Sequence, residues 1–381
     1  MSYSPQDVLI ILAIIWIIAY VLCRFFHVER RGVEVRPLYF MIRTKRFNDT
    51  MVKTALKHPS FWKAYGNLGI AVSFVLIALA VYTLGINLYN FAYIPSSANP
   101  IIPIVPGVTI GLTYLPYLLL AIGLAVTIHE LAHGIIASGE KIRLKSSGIV
   151  IAPIALGGFV EPDEEQFEKS GLLSKLRVLS SGSLTNILAG LLAIFLLIAL
   201  FASQSGILVT SVQANGPVAE AGMRDWEVIY SINGNLTPDY TAMHAVLATV
   251  RPGDTVTLDT SRGQLRVLTI SNPQNSSVAF LGITSLVGYS YHPLRIGEFS
   301  TQFTYNFNLV LGWMQLIMVN VAIFNMLPMF PLDGDGFVYA ILKAKLKKRS
   351  NEARTVVNIA AFSLLGLNIA LSFIRYGITP I

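Results

Sequence analysis

Six apolar runs leave this chain few ways to fold. They lie at about residues 7–26, 67–92, 114–138, 178–203, 304–327 and 354–375. Each is near the ~20 residues of helix that bilayer hydrocarbon requires. In lipid, every backbone N–H and C=O must find its partner inside the protein, which leaves helices or closed barrels. Composition agrees, since only 13% of residues are charged and 54% are hydrophobic, against about a quarter charged in soluble chains. The expectation is a polytopic α-helical membrane protein with about six transmembrane helices. The first run lacks a basic n-region and a small-residue cleavage site, so it reads as a retained helix rather than a leader.

Basic residues predict the orientation. Arg30, Arg31, Arg36, Arg43, Lys45, Arg46, Lys53 and Lys57 crowd the first connection, and none follows from Ala64 to Glu140. They return at Lys141, Arg143 and Lys145, at Lys169, Lys175 and Arg177, and from Lys343 to Arg349. Six spans with both termini outside put every one of these clusters in the cytoplasm. The net charge of +7 is then topological, and nucleic acid is not an expected partner. The lone Cys23 excludes an intrachain disulfide and a thiol-rich metal site. Pro95, Pro100, Pro103 and Pro106 make 93–113 too broken for a helix.

Residues 205–290 differ in character. GILVTSV, WEVIYSING, DTVTLDT and QLRVLTI alternate as strands do. Asn233-Gly234 marks a hairpin turn, and a helix is expected over about 240–250. The stretch from Gly216 to Leu247 resembles a PDZ domain of the circularly permuted bacterial type. The likeness lies in Gly216-Pro217, Ala221-Gly222 and Ile232-Asn233-Gly234, and it departs at Trp226-Glu227, where Gly-Asp is common. It implies a small extracytoplasmic α+β domain that takes a peptide as an added strand, or else a rigid spacer that binds nothing.

The third run contains His129-Glu130-Leu131-Ala132-His133. On a helix, positions four apart share a face, so both imidazoles reach one ion. Zinc suits them, and the intervening glutamate can take a proton from water. Ionisable groups at membrane depth are costly and mark function. Zinc needs a third protein ligand. Asp333 lies where the fifth run ends, on the cytoplasmic side, as does His133 in the third.

His-Glu-x-x-His in one span, Asn325-Met326-Leu327-Pro328-Met329-Phe330-Pro331-Leu332-Asp333-Gly334 in a later one and a PDZ-like insert between them resemble the site-2 protease family. These are intramembrane zinc metalloproteases, and the likeness covers about 110–340. It implies His129, His133 and Asp333 as ligands of one Zn2+ per chain and Glu130 as general base. Asn325 would contact the substrate backbone or the developing oxyanion. The expected substrate is a transmembrane protein, cut within or near its span, in a prokaryotic cell membrane. Gly148 to Val160 reads as a membrane-associated β-hairpin, EPDEEQFEK as a solvated acidic loop, and Asn186, ending a small-residue run, as structural or as a partner of a metal ligand.

The expected layout has four parts. Residues 1–113 hold two spans and a basic cytoplasmic loop. Residues 114–203 hold the first half of a protease core, 204–303 the PDZ-like domain, and 304–381 the second half. Two other functions compete. An ion transporter would show inverted repeats and polar groups on both sides, and neither is visible. A non-catalytic peptide-binding protein would have no need of Glu130.

Overall fold

The computed structural model describes residues 5–31, 33–152 and 155–377. The tip of the expected hairpin, Pro153-Ile154, lies outside them. The chain forms two compact units, one holding residues up to Leu192 and from Trp313 onward, the other Ala193–Gly312.

The first unit opens with helix α1 (Pro5–Phe25), then strands β1 (Val33–Arg36) and β2 (Tyr39–Thr44) and helix α2 (Arg46–Lys57). Helix α3 (Pro59–Tyr93) and helix α4 (Leu115–Gly139) each carry a proline in the first turn, where its missing N–H costs nothing. Strands β3 (Leu144–Ala152) and β4 (Ala155–Pro162) come next, then α5 (Glu164–Lys169) and α6 (Leu172–Leu200).

Two expectations fail in this region. The basic stretch after the first span is a hairpin and a helix, not a loop. β1 pairs with β2, and β2 joins β3 with Phe40 opposite Ile151 and Arg43 opposite Gly148, giving a four-stranded sheet in the order β1-β2-β3-β4. Such pairing is non-local, so four- and six-residue strands leave little trace in the sequence. The acidic segment is helix α5, started by Asp163, whose carboxylate accepts from the N–H of Gln166 at 3.0 Å.

The second unit contains β5 (Gly206–Val212), α7 (Pro217–Glu220), β6 (Glu227–Ile232), β7 (Asn235–Leu236), α8 (Tyr240–Leu247), β8 (Thr255–Thr260), β9 (Gly263–Leu268), β10 (Ile270–Asn272), β11 (Asn275–Phe280) and β12 (Ile283–Tyr291). A six-stranded antiparallel sheet runs β12-β5-β6-β8-β9, with β7 on β6. Its core holds Ile207, Val209, Ile229, Ile232, Leu258 and Met243. The expected turn is present, with Asn233 and Gly234 both at positive φ.

Helix α9 (Thr301–Asn325) returns to the first unit, followed by α10 (Asp333–Leu346) and α11 (Ser350–Tyr376). Five helical stretches among the described residues are long and apolar enough to cross a membrane: Pro59–Tyr93, Leu112–Gly139, Leu172–Leu200, Thr301–Asn325 and Asp333–Tyr376. Six were expected. In α1 only the shorter stretch Ala13–Phe25 qualifies as an apolar helix. The last stretch includes α10, a helix not expected from the sequence, where Lys343 and Lys345 read as part of a basic connection.

Small residues set the helix spacing around α4. Ala121 and Ala125 are fully buried against Ile317 and Met318 of α9. Between membrane helices, packing and hydrogen bonds replace the hydrophobic drive, so close approach matters. On another side, Met51 and Ala55 of α2 are buried beside the C-terminal half of α4.

Candidate metal centre

His129 and His133 lie one turn apart on α4 and are each 8% exposed. Asp333 starts α10 and reaches them from the opposite side. Its Oδ2 is 3.0 Å from Nε2 of each histidine, and the two Nε2 atoms are 3.1 Å apart. Asn325, the last residue of α9, donates from Nδ2 to the same Oδ2 at 2.7 Å and lies 3.1 Å from Nε2 of His129. The structure thus brings together residues from three helices that the sequence separates by some 200 positions.

This arrangement needs a cation or a proton at its centre. The Nδ1 of His133 is 2.7 Å from the carbonyl of Val178, which can only accept, so Nδ1 carries the hydrogen. In the neutral ring, Nε2 is then a lone pair aimed at a carboxylate oxygen. When His129 also carries its hydrogen on Nδ1, three acceptor atoms face one another at 3.0–3.1 Å and repel unless something positive lies among them. These are the atoms that could hold a metal ion.

The residues fit zinc. Two imidazoles and a carboxylate are a donor set zinc takes in catalytic sites, with one position left open. Ligands of a tetrahedral ion at ~2.0–2.1 Å stand about 3.4 Å apart, so the triangle has to open by only a few tenths of an ångström. His129 adds an independent observation. Its Nδ1 faces Nδ2 of Asn186 at 3.3 Å, while Oδ1 of that buried amide has no partner among the described residues. Amide oxygen and nitrogen are interchangeable on rotation. Turned about, Oδ1 accepts from Nδ1–H of His129 and frees its Nε2 as a ligand. Both rings then have the outer partner that metal-binding histidines use.

Helix α6 supplies these partners because its small residues let it come close. A Cβ on Gly182 would lie 2.4 to 2.6 Å from the ring of His129. Ser181 donates to the carbonyl of Val178 at 2.7 Å. Gly334 has a similar task beside Asp333, since a Cβ there would stand 2.2 Å from the carbonyl oxygen of Met326. Asn186 was visible in the sequence as a residue of interest. Ser181 and Gly182 belong to the same small-residue run, Ser181 to Asn186, whereas Val178 acts through its backbone carbonyl and leaves no signal in the sequence.

Glu130, next to His129 on α4, is held by the hairpin. Its Oε2 accepts from the N–H of Val160 on β4 at 3.3 Å. Two residues earlier on that strand, the N–H of Gly158 donates to Thr127 Oγ1 at 3.1 Å. The outer edge of β4 is therefore docked along α4. Between them runs a cavity of about 500 Å³, lined by Leu119, Leu124, Ile149, Phe159 and, from α2, Phe47. Among the described residues, Glu130 is the one titratable group lining it.

Residues 117–367 match the sequence family described as Peptidase family M50. An uncharacterized protein of Methanocaldococcus jannaschii is 26% identical over 359 residues, covering 91% of this chain and 88% of that one. A membrane-bound transcription factor site-2 protease homolog of Arabidopsis thaliana is 24% identical over 168 residues, which is 43% of this chain and 32% of that protein. A solved PDZ domain of an SdrC-like protein from Listeria monocytogenes is similar over 23% of this chain and 92% of its own, at 23% identity and a TM-score of 0.20.

Proposed function

The chain belongs to peptidase family M50, and from that premise we propose that it is a zinc endopeptidase that hydrolyses a peptide bond within or near a transmembrane helix of another membrane protein. The observation that carries this reading is the convergence of His129, His133 and Asp333 on one point, with Glu130 beside it facing an apolar groove.

His129, His133 and Asp333 would hold one zinc ion, which when bound lowers the pKa of water to about 7 and polarises a carbonyl. Glu130 takes the proton of the attacking water and passes it to the leaving amine nitrogen. Its hydrogen bond to Val160 N–H keeps the carboxylate at the groove while it is charged. Asn325 offers an N–H to the carbonyl oxygen as negative charge develops there, as an oxyanion donor does. The groove's apolar walls exclude bulk water and suit a membrane segment. The substrate must unwind locally, because a helical carbonyl is already hydrogen-bonded and shielded.

In the orientation set by the basic residues, the metal site lies toward the cytoplasmic end of α4 and the 204–303 region lies outside. That region acts as a PDZ-like domain, either taking a peptide as an added strand or limiting the size of what reaches the membrane. Residues 114–203 and 304–381 form the two halves of the protease core.

The test compares wild type with Glu130→Gln. Purified protein of each kind is assayed for bound zinc, and each is offered a single-span reporter in liposomes. About one zinc in both, with cleavage falling about 10²–10⁴-fold in the variant, is the expected result. Wild type that binds no zinc would sink the proposal.

A further inference from the structure

Asp335 stands two residues past the carboxylate of the metal centre and is not part of it. It is 3% exposed. Two side chains of α11 hold it. Arg354 donates from Nε to Oδ1 at 2.9 Å and from Nη2 to Oδ2 at 2.5 Å, and Asn358 donates from Nδ2 to Oδ1 at 2.7 Å. Arg354 and Asn358 are four apart, so they share one face of the helix. The Oδ1 of Asn358 then accepts from the backbone N–H of Phe330 at 2.7 Å. One face of α11 therefore grips the chain on both sides of Asp333, three residues before it and two after. The guanidinium of Arg354 is itself braced, 4.5 Å from the ring centroid of Tyr339, whose hydroxyl donates to Asn351 at 2.8 Å.

Stability alone gives a poor account of this clamp. An ion pair whose carboxylate is almost wholly buried repays little more than its desolvation cost, and apolar residues of similar volume often serve as well. What the pair supplies is directional. It fixes the 330–335 backbone against a helix that carries no ligand.

We propose that Arg354 and Asn358 are positioning residues that set the metal affinity of the site by holding Asp333 at the two histidines. The proposal rests on the zinc reading above. It is tested on the full-length protein in detergent by zinc competition against a chromogenic chelator, with the thermal midpoint of the zinc-free protein measured in parallel. Asn358→Ala removes the grip on Phe330 and one bond to Asp335 while leaving the Asp335–Arg354 pair in place, so it is the primary variant. It should bind zinc about 10–100-fold more weakly, the range found when outer partners of metal ligands are lost. Its zinc-free midpoint should stay close to that of wild type, and added zinc should restore cleavage. Arg354→Lys, which keeps the charge but not the fork, should fall between wild type and Arg354→Met. Zinc affinity in Asn358→Ala within twofold of wild type would overturn the positioning role and leave the protease reading standing. Wild type that binds no zinc would overturn both.

Discussion

Two buried polar clusters lie among the apolar helices of the first unit, and they are built on opposite plans. One joins α3, the segment near residue 100 and α11. Asn87 donates to the carbonyl of Asn99 and to Oδ1 of Asn368, each at 2.9 Å, and accepts from the N–H of Asn99 at 2.8 Å. Asn368 donates to the carbonyls of Leu84 and Leu364. Ser372 donates to Asn368 O and accepts from the N–H of Ile101. Each donor there meets an acceptor. The other cluster is the candidate metal centre, where Nε2 of His129, Nε2 of His133 and Oδ2 of Asp333 lie within 3.1 Å of one another. The contrast separates two uses of polar groups at membrane depth. A closed network satisfies itself and holds helices together. A convergent one turns its ligand atoms to a single point, where a metal ion could be held.

The comparison can be broken most directly at the ligands. His133→Ala should remove the bound zinc and all cleavage, as elemental analysis and the liposome reporter would reveal. Full zinc occupancy in this variant would end the distinction between the two clusters. Gly182→Ala comes next. Its Cβ must displace the His129 ring, so cleavage should fall at least about 100-fold, the scale of a 1 Å misplacement, with helical content by circular dichroism preserved. Wild-type turnover would mean that α6 yields there at no cost.

Asn368→Ala sharpens the other side. It leaves buried partners unsatisfied and should cost about 1–3 kcal/mol, read as a lower midpoint in a thermal or denaturant melt, with zinc content unchanged. Loss of zinc in this variant would show that the two clusters are coupled.

The smallest effect belongs to the sheet. Arg43 bonds Glu34 and Glu161 at its charged end. The Ser146 hydroxyl, with Arg43 second, holds the Glu161 carboxyl below its ordinary value of 4.5. Arg36, with Arg43 second, does the same to Glu34. These contributions are present above the unfolded value and are lost as pH falls through the lowered folded ones. Wild type should therefore lose slightly more stability than Arg43→Ala between pH 6 and the acid side of about 4.5, compared by thermal melts. Both carboxylates are partly open to solvent, which screens the pairs, so the difference should be small. Parallel curves would remove the pair from any account of the sheet.

Much of the site was legible in the sequence because its parts are local. His129 and His133 share a helix face by spacing alone. Asn233-Gly234 and the alternating strands of the insert follow from backbone sterics and a period of two. Runs of apolar residues mark helices because lipid allows little else. Asp333 could be paired with the histidines because the positive-inside pattern put both segments at one depth.

What remained hidden depends on which distant segments meet. Tyr39–Thr44 pairs with β3 across about a hundred residues, and nothing in six residues records that choice. α10 looked like the start of a basic connection until α11 folded back on it. Val178, Arg354 and Asn358 matter only through what they touch. A sequence sets local geometry through sterics and periodicity, and so determined the long apolar helices, the strands of the insert and the shared helix face of His129 and His133 here. Long-range contacts depend on packing over the whole chain, so tertiary structure alone decided the four-stranded sheet, the Val178 carbonyl as the partner of His133 and the clamp behind Asp333.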